Sequence, residues 1–210
     1  MNIICHGCSF TKYKWSCWPS FLKWFSPEKV LNKGEMGSAN ETITRKTIQS
    51  VYENSPKHIY IMWSGTNRYE VWQDGGQMHT GGHPETEKHN YYVKHFLNEK
   101  QNMYRTLSNI LFLQLFLKEK NVPYTMMIWK GDVITDQFKI SKEIDWNKFI
   151  FYKGNKGLWE YAEENFKDYY IPGESHPPPI AHYHWVKDIM LKSDIEAPAE
   201  EYRKLKEWKI

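Results

Sequence analysis

A serine suited to nucleophilic chemistry stands nine residues into the chain. Ser9 lies in Gly7-Cys8-Ser9-Phe10-Thr11, directly after the short apolar run Asn2-Ile3-Ile4-Cys5-His6. That run reads as a buried strand, and Gly7 allows a tight turn out of it. A serine at such a turn faces the crevice at the carboxyl end of a sheet, beside the partly positive start of a helix. Serine also caps helices in just this setting, so the pentapeptide alone leaves nucleophile and cap both open. Three later segments bear on the choice. Asn32-Lys33-Gly34-Glu35-Met36-Gly37-Ser38-Ala39-Asn40 is a glycine-rich loop running into a helix. Ser38 and Glu41 have the spacing of a capping box there, which places Gly37 beside a helix start whose N–H groups can face an anion. Trp63-Ser64-Gly65-Thr66-Asn67 follows a second strand-like run, and Glu174-Ser175-His176-Pro177 is followed by His182, His184 and Trp185.

In this order the four segments resemble the blocks of the SGNH (GDSL-type) hydrolases, a family named for its Ser, Gly, Asn and His. The resemblance spans Gly7 to about Trp185. It puts Ser9 on the nucleophile, Gly37 on the second-block glycine, Asn67 on the asparagine and His176 on the base. It implies a three-layer α/β/α, flavodoxin-like fold with a mostly parallel sheet. It also implies a serine esterase or acetylesterase acting on a small acyl ester, with an acetylated carbohydrate as one candidate substrate and no cofactor. The oxyanion would be held by the N–H groups of Ser9 and Gly37 and the side-chain amide of Asn67, which donates without carrying charge. The spelling Gly-Cys-Ser-Phe-Thr, with Gly-Ser-Ala-Asn-Glu-Thr-Ile, is similar to divergent SGNH-like proteins of bacteriophage genomes. Two positions depart from the family: Cys8 stands where Asp usually precedes the serine, and Gly173 where Asp usually precedes the histidine by three. Glu174 is the nearest acid to His176 and is assigned its orientation, with Asp168 as the substitute. A non-catalytic SGNH-like binding or virion protein is the alternative that the two departures favour.

Other residues carry weaker signals. Arg68, next to Asn67, suits a substrate carboxylate or phosphate, and equally a surface ion pair. Trp63 is a second candidate for substrate contact, since the aromatic surplus of 10 Trp and 14 Tyr suits flat or sugar ligands as well as a core. His79 and His83 have helical i, i+4 spacing, but the glycines between them argue against a helix, and no metal site is expected. His182 reads as a packing residue. Cys5, Cys8 and Cys17 are odd in number and lack a matching ligand pair, so reduced thiols are expected.

A chain of 210 residues suits one domain. Net charge +3 with 25% charged residues implies no nucleic-acid partner, and no apolar run is long enough for a membrane span. No secretion signal is recognisable, which points to a cytoplasmic protein or a virion component. Oligomeric state is not legible. The elements needed to position the site alternate as in α/β proteins. Helices are expected at Trp15 to Phe25, from Ser38 through Val51, Tyr92 to Lys120, Leu158 to Phe166, His182 to Leu191 and, as a terminal helix within 195–210, Glu200 to Trp208. Strands are expected at the start, at His58 to Trp63, Tyr124 to Trp129 and Phe149 to Tyr152. Tyr69 to His89 reads as a glycine-rich loop over the site, and Asp132 to Asn147 as a second loop.

Overall fold

The computed structural model describes residues 2–73, 76–80, 94–95, 98–131 and 137–208. Its centre is a five-stranded, wholly parallel sheet. The strands are β1 (Asn2–Gly7), β2 (Lys29–Asn32), β3 (His58–Trp63), β6 (Tyr124–Ile128) and β7 (Phe149–Ile150), in the order β2-β1-β3-β6-β7. Strands β1, β3 and β6 are buried on both faces, which is why they read as near-continuous apolar runs. The edge strand β2 escapes that reading because it is four residues long and only Val30 is fully buried.

Helices cover both faces. On one side α1 (Trp18–Phe25), α4 (Leu158–Asn165) and α5 (Pro179–His184) pack Trp18, Phe21, Leu158, Tyr183 and Trp185 against Ile3, Cys5 and Met127. On the other, α2 (Asn40–Asn54) and α3 (Glu99–Glu119) pack Ile43, Leu107, Ile110 and Leu113 against Ile4, Ile59, Ile61 and Met126. Chain order passes β1–α1–β2 on the first face and β2–α2–β3 on the second. The crevice between the carboxyl ends of β1 and β3 is therefore the topological switch point, where open α/β sheets bind ligands. Ser9 follows β1 and Asn67 follows β3.

Several expectations need correction. The capping box is not formed: α2 starts at Asn40 behind an Ala39 cap that makes no side-chain hydrogen bond. Asn40 instead turns its amide inward, accepting from the Ser64 N–H (2.8 Å) and donating to the Ser64 carbonyl (3.2 Å) and Thr106 Oγ1 (3.1 Å). Residues 69–73 and 76–80 are not a loop, since β4 (Tyr69–Gln73) and β5 (Gly76–Thr80) pair antiparallel. The rest of that expected insertion, 74–75 and 81–89, lies outside the described residues. Helix α1 begins three residues later than expected, with Pro19 in its first turn. Helix α3 begins at Glu99, capped by Asn98, whose side chain accepts from the Gln101 N–H. The helix behind the last block starts at Pro179 and passes into a π-helical turn over Trp185–Leu191. The terminal helix is α6 (Ala199–Lys206). No helix among the described residues is long and apolar enough to cross a membrane.

Candidate functional site

All four sequence blocks meet at the carboxyl edge of the sheet. Asn32 Nδ2 donates to the Thr11 carbonyl (2.8 Å), and the Glu35 N–H donates to the Gly7 carbonyl (3.0 Å), so the glycine-rich loop is tied to the serine turn. Gly37 takes a left-handed φ of +79° with open space over its Cα, which suits a backbone donor that must approach a ligand closely. The third block arrives through Gly65. A Cβ there would stand 2.9 Å from Asn67 Oδ1 and 3.5 Å from Trp129 Nε1, so the missing side chain leaves room for both groups. Trp129 meets Phe10 edge-on, with ring centroids 5.0 Å apart, and Phe10 lies 5.4 Å from the His176 ring. A path of ring contacts thus joins Trp129, beside Gly65, to His176 across the residue that follows Ser9.

His176 is the best-held group of the site. Its Nδ1 lies 3.3 Å from Glu174 Oε1, and its ring stacks on Tyr13 with centroids 3.9 Å apart. Tyr13 also donates to Glu174 Oε1 (3.0 Å), Lys14 pairs with Glu174 Oε2 (2.7 Å), and Trp15 Nε1 donates to the Pro177 carbonyl (3.0 Å). The turn after Ser9 therefore grips the histidine segment directly. The glycine at 173, where the sequence resemblance expects Asp, has a local role. Gly173 adopts φ +79° in a turn closed by Glu174 N–H to the Ile171 carbonyl, and this turn carries Glu174 to the histidine despite its shorter spacing. Asp168, the substitute, is exposed in a short 3₁₀ turn.

The electrostatics follow from these contacts. The Lys14 ammonium, with Tyr13 and His176, holds the Glu174 carboxyl at about 2 against the opposing effect of burial. Burial lowers His176 below its ordinary 6.5, and Glu174 pulls it back up. His176 is therefore neutral near pH 7, and a proton on Nδ1 would be donated to Glu174, which would leave the lone pair on Nε2. Ser9 is buried, and its Oγ has no hydrogen-bond partner, so the serine–histidine bond needed for acyl transfer is not made in this conformation. Such bonds often tighten only when substrate binds.

Other sequence candidates fall differently. Trp63 is completely buried in the core under α2 and α3 and shows no surface to a ligand. Asn67 is exposed and Arg68 half-buried at the exit from β3. Cys5, Cys8 and Cys17 are free and buried, and burial pushes the Cys17 thiol up to about 12. The histidines at 79, 83 and 89 fall outside the described side chains. Sequence reasoning missed Trp129 and Asn40. An aromatic residue at the end of a strand bound for the sheet's carboxyl edge was the signal available for the first. A cavity of about 400 Å³ lined by Lys12, Tyr13, Lys14, Glu35 and Met36 opens between the first and second blocks, a size that suits a small ligand.

No family model matches the chain, and no curated protein matches it. Solved structures do. A point mutant of the acetyl-xylooligosaccharide esterase Axe2 from Geobacillus stearothermophilus superposes with a TM-score of 0.55 at 12% identity, covering 94% of this chain and 97% of its own. The esterase EstA of Pseudoalteromonas sp. superposes at 0.53 and 14% identity, covering 91% and 95%. The fold is that of these esterases. At such identity the likeness reaches the architecture, and the chemistry must be argued from the side chains.

Two further histidines set the acid stability of this scaffold. His6 Nε2 bonds Ser50 Oγ (2.9 Å) beneath β1, and His182 lies fully buried in α5 with Nδ1 unpartnered. Burial lowers both to about 3. The folded chain thus refuses protons that the unfolded chain takes up near 6.5. Their contribution is complete above pH 6.5 and is lost as pH falls toward 3, at about 1.4 kcal/mol per pH unit for each histidine inside that window. Urea midpoints should fall between pH 6.5 and pH 5, whereas a flat profile there would contradict the buried neutral histidines.

Proposed function

We propose that the chain is an SGNH-type ester hydrolase that cleaves a small acyl group, such as acetyl, from an alcohol of carbohydrate type. The reading rests on His176, held through Nδ1 by Glu174 and stacked on Tyr13 of the turn that follows Ser9, which leaves Nε2 as the ring nitrogen for base duty. In the first step Ser9 Oγ bonds to the acyl carbon while its proton passes to His176 Nε2. The negative charge gathers on the former carbonyl oxygen and is met by the N–H groups of Ser9 and Gly37 and the Asn67 amide. The ester C–O bond then breaks, and His176 returns the proton to the departing alcohol. Water repeats the sequence on the acyl-enzyme and frees the acid. Axe2 and EstA, which share this fold, are esterases and support an ester substrate, and Axe2, an acetyl-xylooligosaccharide esterase, supports an acetylated sugar.

A second reading, a non-catalytic SGNH-like module such as a virion component, is favoured by the unpartnered Ser9 Oγ and by Cys8 in place of the usual Asp. A fluorophosphonate probe separates the two, because it traps a serine only where base and oxyanion donors already activate it. Stoichiometric labelling of the wild type, lost in Ser9→Ala, is the expected result. Folded wild type that resists the probe would establish the second reading.

A further inference from the structure

Beside the proposed catalytic groups lies a charge that the catalytic scheme leaves unused. Arg68 follows Asn67 at the exit from β3, and its Nη1 is buried without any hydrogen-bond partner. The neighbouring cations are committed: Arg105 Nε is paired with Glu41 (2.6 Å), and Lys14 with Glu174 (2.7 Å). Arg105 Nη2 also donates to the Arg68 carbonyl (2.9 Å), which fixes the backbone at the site rim. A buried guanidinium nitrogen without an acceptor is destabilising, because it has given up water and received nothing in exchange. A neutral acceptor would satisfy the N–H but leave the charge uncompensated. A carboxylate or phosphate satisfies both, and the planar fork of arginine fits either.

Arg68 is near enough to His176 to act on its charge, opposing protonation. Arg68 also adjoins Asn67 in the chain, so an anion held by its fork would lie beside the proposed catalytic groups. We infer, on the basis of the hydrolase reading above, that Arg68 is an anion anchor and that the substrates are acyl esters that also carry a carboxylate or phosphate. That class comprises O-acylated hydroxy acids, sugar acids and phosphorylated sugars.

Equilibrium binding to the Ser9→Ala protein tests this without turnover. Calorimetric titrations would compare 4-acetoxybenzoate, 4-acetoxyphenyl phosphate and the neutral methyl 4-acetoxybenzoate. At least one anionic ester should bind about 10- to 100-fold more tightly than the neutral one, and which anion leads names the carboxylate or phosphate source. Adding Arg68→Gln should erase the preference, and Arg68→Lys should keep only part of it, because the charge remains and the fork does not. Raised salt should weaken the anionic ligands alone. Equal binding of neutral and anionic esters, or a preference that survives Arg68→Gln in a protein of native circular dichroism, overturns the assignment. The two proposals fail separately. A preference for anions in a protein that resists the fluorophosphonate probe removes the hydrolase and keeps the anion site, whereas labelling without a preference removes only the role of Arg68.

Discussion

His176→Ala is expected to lower turnover of an acetyl ester by about four to six orders of magnitude while leaving the protein folded. The size follows from the double duty proposed for this residue: without it Ser9 would keep its proton during attack, and the departing alcohol would receive none. The fold should survive because His176 is only half-buried and its neighbours Tyr13, Phe10 and Glu174 are fixed by contacts of their own. Glu174→Gln should cost less, since Tyr13 stacking continues to orient the ring after the carboxylate has gone. In the wild type the acid limb of kcat/KM should lie below 6.5, because burial favours neutral His176. Steady-state kinetics with 4-nitrophenyl acetate would measure all of this. A His176→Ala protein within tenfold of wild type would remove the histidine from the chemistry.

Much of this arrangement was legible in the residues, for a physical reason. Strands β1 and β3 are buried on both faces, so Ile3-Ile4-Cys5 and Ile59 to Trp63 appear as apolar runs, and the glycines at 7 and 65 mark where they stop. In a parallel sheet the residues after such stops must crowd together, which is why Ser9, Asn67 and the glycine-rich loop could be assigned to one edge. The misses have equally local causes. Ser38 and Glu41 satisfy the spacing of a capping box, but spacing carries no information about Ser64 and Thr106, whose polar groups recruit Asn40 and shift the helix start. Gly76 reads as loop because glycine in a short polar segment gives periodicity nothing with which to separate a paired strand from irregular chain. Trp63 sits at the end of a strand as Trp129 does, and only the packing of α2 and α3 decides that the first is core and the second faces the site. Glu174 was identifiable as an acid near His176, but its reach depended on the left-handed turn at Gly173.

The second large effect belongs to Gly7, the residue that ends β1. Its φ is +157°, a conformation that side-chain-bearing residues rarely adopt, and a Cβ would stand 2.1 Å from Thr11 Oγ1 and 2.9 Å from the Met62 carbonyl. Neither neighbour can yield easily. Met62 is register-paired with Gly7 in the β1–β3 ladder, and Thr11 is fully buried with its Oγ1 accepting from Trp18 Nε1 (3.3 Å). Turning Thr11 aside would leave a buried indole N–H without a partner. Gly7→Ala should therefore destabilise the protein by about 3 kcal/mol or more, a fall in Tm of roughly 6–12 °C for a chain of this size. Gly37→Ala provides the contrast. Its φ of +79° is also left-handed, but nothing lies within 4 Å of the added carbon, so only the conformational cost of about 1 kcal/mol remains. The fluorophosphonate readout should separate the two again. Because Ser9 is two residues from the Gly7 clash, the folded fraction of Gly7→Ala should label more slowly than wild type, whereas an unchanged midpoint and rate would mean that the β1 exit is not built around this glycine.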